Sequence, residues 1–350
     1  MNRRTQAVKH LARAMTLSAS LAVSGVTQAE DATDTFYRSR TISIYVGLPA
    51  GGTFDAYARL TAAHLSGHVP GHPNVIVQNM PGAGSLQAAN FVYNRAPQDG
   101  SVIGAMSSNV PIQPLLDASG VNYDSLKMNW LPTPSHAVSA LVVWHTSSVK
   151  SFEDLRTHEA LLGTLAPGSS PTIAIGLYKH VLGAKVRAIL GYQGLPAVML
   201  AMERGEVNGY STVPVDVLQN TYGQLWKSGQ LRVLAQTGSL RDPLLADVPS
   251  MGELAATQAA KQIITLGTAS SRMTFPYVMG PGVPPARVTA MRSAFTQMLG
   301  DSAFLADAAA RHMTIAPVGS EEVQAIIREI YATPPEIVQQ LKDIVALQGK

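Results

Sequence analysis

The sequence predicts an α/β protein of two domains with a parallel sheet, and three observations carry that reading. Between Thr41 and about Pro134, stretches with strand and helix character alternate. Two turns of small residues, 47–53 and 166–172, each deliver a strand to a helix. Removing an N-terminal leader of 29 residues from the 350 leaves 321, a length that suits two domains of ordinary size.

The leader itself has a basic start (Arg3, Arg4, Lys9, Arg13), a mildly apolar run from Ala14 to Val26, and Thr27-Gln28-Ala29 at its end. This is the pattern of a secretory signal peptide covering 1–29. The run is far shorter than the roughly 20 residues a spanning helix needs. Cleavage after Ala29 removes four basic groups and no acidic one, taking the formal charge from +3 to −1. A near-neutral mature chain without a basic run gives nucleic acid no purchase. The chain has no cysteine, which excludes a disulfide framework and thiol chemistry.

Thr41 to Arg59 reads T-I-S-I-Y-V-G-L-P-A-G-G-T-F-D-A-Y-A-R. Ile42, Ile44 and Val46 alternate with Thr41, Ser43 and Tyr45 at the period of a strand. Gly47 breaks it. Pro49 and Ala50 lead into Gly51 and Gly52, which leave no side chain over the backbone amides. Thr53 is the expected N-cap, Asp55 falls in the first helical turn, and Leu60, Ala63 and Leu65 continue an apolar face. Amides collected at a helix N-terminus suit an anionic oxygen, here a carboxylate, because neither the P-loop nor the dinucleotide spacing is present. A plain βα connection would use the same residues. Phe54, a large ring inside the turn, fits a pocket lining, and Asp55 with Arg59 fits an i,i+4 ion pair.

The following elements are read in the same way. Strand Val75–Val77, helix Ser85–Asn94 and strand Ser101–Met106 complete the first α/β series, and Ser107-Ser108-Asn109 is a turn of donors beyond the last strand. An irregular stretch, 121–136, leads to strand Leu141–Trp144. Ser151 to Leu155 opens a helix with a capping-box look. Strand Leu161–Leu165 then meets Gly168, Ser169 and Ser170, a second small-residue turn opening the helix Ile173–Val181. Strand Val186–Leu190 leads to Tyr192-Gln193-Gly194, a helix ends near Gly205, and strands Val207–Ser211 and Leu231–Gln236 follow. Residues 255–269 fit a helix or a loop. Thr274–Met279 is a strand, and helices occupy Ala286–Leu299, a stretch from Ser320, and a last stretch to about Leu347. The expected division is 30–135 plus 237–350 for domain 1 and 136–236 for domain 2.

Several stretches together resemble the periplasmic substrate-binding receptors of tripartite tricarboxylate transporters, the Bug proteins. They are the 41–59 segment, Val75–Ser85 (V-I-V-Q-N-M-P-G-A-G-S), Ala96–Gly100 (A-P-Q-D-G), Gly205–Asn208 (G-E-V-N), Leu231–Pro249 with R-V-L-A-Q-T and D-V-P, and Pro281–Arg287 (P-G-V-P-P-A-R). The resemblance implies a two-domain periplasmic-binding-protein fold, type II-like, with a ligand cleft between the domains. It implies a monomer that captures a small aromatic or aliphatic mono- or dicarboxylate and meets the membrane subunits of a tripartite transporter, or else feeds a sensor. The implied ligand contacts are Pro49, Ala50, Gly51, Gly52, Thr53, Phe54, Asp55, Ser107, Ser108, Gly168, Ser169, Ser170 and Tyr192. Gln193 and Leu195 depart from the family pattern, which usually has a lysine and glycines there.

No cofactor or metal is expected. His64, His68 and His72 are four apart, but Gly67, Pro70, Gly71 and Pro73 break the helix that would align them. The competing reading is an exported hydrolase of small esters or amides using Ser107 or Ser169. It lacks a G-x-S-x-G nucleophile elbow.

Overall fold

The structure, a computed structural model, describes residues 32–117, 119–165, 169–238 and 241–347; the expected signal peptide and Gly168 lie outside the described residues. Two compact units emerge from the packing. The first comprises 32–106, Met128–Pro132 and Tyr277–Met313, and the second comprises Ser107–Lys127, Thr133–Pro276 and the chain from Thr314 onward.

The first unit is built on a five-stranded sheet in the order β2-β1-β3-β10-β4. Its strands are β1 (Thr41–Val46), β2 (Asn74–Asn79), β3 (Val102–Ala105), β4 (Asn129–Trp130) and β10 (Tyr277–Met279). β1 runs parallel to β2 and β3, whereas β10 is antiparallel to β3 and to β4. The alternation read in β1 is realised: Ile42, Ile44 and Val46 are fully buried. Each such side chain contributes on the order of 1.5–3 kcal/mol. Tyr45, on the opposite face, meets the Phe91 ring of helix Leu86–Asn94 at 4.8 Å. Helix Thr53–Leu65 buries Tyr57, Ala58, Leu60 and Leu65, and its Thr61 hydroxyl lies 2.9 Å from that of Tyr277.

The second unit repeats this plan with the order β7-β6-β8-β5-β9. The strands are β5 (Ser139–Trp144), β6 (Ala160–Gly163), β7 (Val186–Ile189), β8 (Gly209–Pro214) and β9 (Leu231–Thr237). β6 runs parallel to β7 and β8, and β5 is antiparallel to β8 and β9. In helix Ser170–His180 every residue from Pro171 to Tyr178 is buried. A helix apolar on all sides needs cover on all sides. The sheet supplies one part, and helices Gln258–Gly267 and Pro335–Leu347 supply the rest. Those two helices belong to the stretch 237–350 that the sequence reading grouped with the first sheet; an amphipathic pattern shows that a helix buries a face without naming the surface that receives it.

Three local expectations are corrected. The N-cap of helix Thr53–Leu65 is Gly52, in extended geometry and without a side-chain cap, so Thr53 is its first helical residue. At Ser151 the reciprocal capping bonds form, with the Asp154 amide donating to Ser151 Oγ at 3.3 Å and the Ser151 amide donating to Asp154 Oδ2 at 3.0 Å. Only a 3-10 turn, Glu153–Arg156, follows, because β6 begins at Ala160. Helix Ser302–Ala310 went unread, although Asp301 caps it by accepting the amides of Ala303 and Phe304.

Candidate functional site

β1 and β6 hold the same place in their sheets, second from one edge between two parallel neighbours. Loops leaving the carboxyl ends of such strands are where ligands collect in open α/β sheets. In the first unit this loop exposes Pro49, Ala50, Gly51, Gly52 and Thr53, half-buries Phe54 and buries Asp55. Gly51 has φ +83°, a conformation that favours glycine. Its amide donates to Asp55 Oδ2 at 2.8 Å. The same oxygen accepts from Arg59 Nε at 2.9 Å, and Oδ1 accepts from Asn79 Nδ2 at 2.9 Å. Asn79 Nδ2 also donates to the carbonyl of Leu48 at 3.1 Å. The hydrogen bond from Arg59, then those from the Gly51 amide and Asn79, outweigh burial and hold the Asp55 carboxyl down at about 2.

Asp55 is therefore a brace, and the Gly51 amide expected to meet a ligand is already in use. The donors at the mouth of the loop come from the head of the helix at Gly52 and Thr53, where the first N–H groups have no acceptor inside the helix. Gly52 is extended, at φ −83°, with only the Pro49 carbonyl within 4 Å of a Cβ built there. It keeps that mouth open without needing an unusual conformation.

In the second unit, Ser169 caps helix Ser170–His180 through its carbonyl, which accepts the Ile173 amide at 2.9 Å. Its hydroxyl lies 2.9 Å from that of Thr172, which lies 2.8 Å from that of Thr164. Ser170 is exposed. Ser107 and Ser108, both half-buried, follow β3. Ser107 behaves as a capping residue: its carbonyl accepts the Val110 amide at 3.0 Å, and its Oγ accepts that of Asn109 at 3.5 Å. Half-buried Tyr192 packs against the core of the second unit, close to where a Cβ on Gly163 would lie.

Ser108 and Ser170 meet at a cavity of about 190 Å³ within the second unit. All its lining residues are serine, threonine, alanine or glycine. Ser139, Thr237 and Ser270 are among them, and sequence reasoning missed all three. A lone hydroxyl residue in a strand or between helices belongs to no motif, so only the fold gathers them. The three histidines serve elsewhere in the first unit. His64 Nε2 pairs with Asp307 at 3.0 Å, His68 Nε2 with Asp301 at 3.7 Å, and His72 Nδ1 with the Ser66 carbonyl at 3.2 Å.

With this geometry in hand, the chain matches the tripartite tricarboxylate transporter family receptors, TctC, over residues 58–342. The chain belongs to the TctC family. The "UPF0065 protein in gbd 5'region" of Cupriavidus necator is 27% identical over 250 residues, covering 70% of this chain and 73% of that protein. A crystal structure of a TctC solute-binding protein from Polaromonas, without ligand, superposes with a TM-score of 0.68 at 19% identity, covering 89% of this chain and 99% of that one. R. palustris Rpa4515 with adipate superposes with a TM-score of 0.57 at 22% identity, covering 87% and 98%. At these identities the structural likeness shows the fold, a two-domain periplasmic binding protein of mixed α/β type.

Most stretches that make this a recognisable TctC chain are scaffold. A-P-Q-D-G and P-G-V-P-P-A-R dock on each other in the first unit. Gln98 Oε1 accepts the Gly282 amide at 3.0 Å, and Arg287 Nη1 donates to the Asp99 carbonyl at 2.8 Å. In G-E-V-N, Asn208 Oδ1 accepts the Leu161 amide at 2.8 Å, which ties the approach to β8 onto β6. In R-V-L-A-Q-T, fully buried Gln236 donates through Nε2 to the carbonyls of Leu245 at 2.9 Å and Val248 at 2.8 Å. The 41–59 stretch and the Asn79 brace differ in building an exposed glycine loop at the carboxyl end of β1.

Proposed function

We propose that this TctC protein is a periplasmic receptor that captures a small carboxylate and delivers it to the membrane subunits of a tripartite tricarboxylate transporter. Family membership over 58–342 carries the receptor class, and the open helix start at Gly52 and Thr53 supports the carboxylate. Neutral backbone donors at a helix N-terminus match an anion that must later be released. Within the first unit this reading adds Phe54 as a ligand contact, and within the second it assigns contacts to the turn at Gly168, Ser169 and Ser170, to the Ser107–Ser108 turn and to Tyr192. Between the aromatic and aliphatic acids expected from the sequence, the cavity favours an aliphatic one, because only small side chains line it. The protein acts as a monomer after export directed by residues 1–29.

No catalytic step is assigned. The Ser169 hydroxyl lies 2.9 Å from that of Thr172, and His136 Nδ1 faces the Ala316 carbonyl at 3.1 Å, which supports the receptor reading over a hydrolase. Calorimetric titration of the mature chain with small carboxylates tests the receptor reading, alongside Gly52→Val, whose extended backbone accepts a side chain. Binding that Gly52→Val weakens at least tenfold with an unchanged melting curve supports the site. Unchanged affinity would remove the loop from it, and sustained turnover of an ester substrate lost in Ser169→Ala would replace the receptor with an enzyme.

A further inference from the structure

The direction of the hydroxyl protons in the second unit's cavity restricts the ligand further than charge does. A hydroxyl has one proton to give. Four lining hydroxyls give theirs to backbone carbonyls, which cannot donate in return. Thr237 Oγ1 donates to Ser211 at 2.6 Å, Thr268 Oγ1 to Ile264 at 2.7 Å, Ser271 Oγ to Thr268 at 2.7 Å, and Thr274 Oγ1 to Ser135 at 2.8 Å. Towards a ligand these four present lone pairs only. Ser108, Ser139, Ser170 and Ser270 have no side-chain partner among the described residues and can donate or accept. Ser270 is only 9% exposed, so its unpaired hydroxyl faces the cavity it lines.

Such a wall suits one kind of occupant. A carboxylate could draw donors from the four free serines, but it would also face four fixed lone pairs with no cation among the lining residues. An alkyl chain would displace water and leave Ser270 and its neighbours unbonded, at the cost of a buried unsatisfied polar group. An ammonium would be desolvated without a counter-charge. A hydroxyl satisfies the wall in both directions, donating to the committed residues and accepting from the free serines.

We propose that the cavity holds the hydroxylated body of a hydroxy acid, whose carboxylate is bound outside it. This rests on the carboxylate-receptor reading and narrows it from aliphatic acids to those bearing hydroxyl groups along the chain.

The test is calorimetric titration of the mature chain with acids paired by chain length: glycerate against propionate, and gluconate against hexanoate, with sorbitol as the polyol lacking a carboxylate. At least one hydroxy acid is expected to bind tenfold or more tightly than its unsubstituted partner, since a site built to bond a hydroxyl rejects the analogue without it. Ser270→Ala and Ser139→Ala should erode that preference several-fold, weakening the hydroxy acid while the unsubstituted acid, no longer stranding a buried hydroxyl, binds as tightly or more tightly; the melting curve should stay unchanged, because neither hydroxyl holds the fold together. Propionate or hexanoate binding as tightly as its partner would overturn the hydroxy-acid proposal and leave the carboxylate receptor standing. Binding of sorbitol with no acid bound would overturn both, as would no binding by these acids or by adipate.

Discussion

The Asp55 carboxylate accepts the Gly51 amide at 2.8 Å, so the glycine loop closes on a side chain of its own helix before any ligand arrives. The carboxylate also anchors Asn79, which reaches back to the Leu48 carbonyl. The loop is thereby held at both ends by one buried group. Asp55→Ala is expected to cost about 1–3 kcal/mol in urea unfolding, because the Gly51 amide loses its acceptor and Asn79 Nδ2 keeps only the Leu48 carbonyl. Carboxylate affinity should fall as well, as the loop loses its preset shape. Arg59→Ala should cost less, since its side chain is 51% exposed and an exposed partner contributes little.

The same group sets an acid dependence. Its carboxyl is held down at about 2, chiefly by the hydrogen bond from Arg59. A carboxyl with a lowered folded-state pKa adds stability that is fully present above its unfolded value near 4 and is lost as pH falls through the folded value. Asp55→Asn lacks that increment at every pH. The difference in urea midpoint between the natural chain and Asp55→Asn should therefore be largest above pH 5 and shrink between about pH 4 and pH 2. A difference that stays constant across this range would show that Asp55 is not ionised in the fold.

Gly47, where β1 ends, answers to packing. A Cβ placed there would lie 2.4 Å from Ser85 Oγ, 2.5 Å from Ser85 Cβ and 2.9 Å from Ser85 Cα. Ser85 is fully buried with φ +79°, and its hydroxyl donates to the Gly47 carbonyl at 3.1 Å. Gly47→Ala is expected to destabilise by about 1–3 kcal/mol. Combining it with Ser85→Gly, which removes the clashing side chain and relieves the left-handed backbone, should recover part of that loss. Such non-additivity in a denaturation cycle is the signature of direct contact.

The sequence made the glycine loop and the α/β alternation legible because both are local. Ile42, Ile44 and Val46 report strand period, and P-A-G-G reports a turn, within a few residues of one another. The cavity was not legible, since Ser108, Ser139, Thr237 and Ser270 come from four separate places and each is ordinary in its own setting. Whether a hydroxyl's proton is spent on a carbonyl, as in Thr268 and Thr274, depends on tertiary geometry alone. The destination of helix Pro335–Leu347 was hidden for a related reason: its Ile337, Leu341 and Ile344 define a buried face, while the surface that receives them is set by helix Ser170–His180.

Gln236 separates recognition of the family from recognition of the ligand. Its side chain is fully buried, donating to the carbonyls of Leu245 and Val248 and accepting the Asp242 amide at 2.6 Å. All three partners lie in the segment ending at D-V-P, so one amide fixes the path of the chain as it leaves β9. A leucine of similar volume would fill the space but strip the Val248 carbonyl and the Asp242 N–H of their Gln236 partner, while the Leu245 carbonyl keeps the Val248 amide at 2.9 Å, at about 1–3 kcal/mol. Gln236→Leu should accordingly lower the urea midpoint. Its neighbour Thr237 lines the cavity, yet Gln236 is not among the lining residues. At temperatures where the variant remains folded, the rank order of ligands should match that of the natural chain. A changed rank order with stability intact would mean that this stretch reads the ligand as well as bracing the fold.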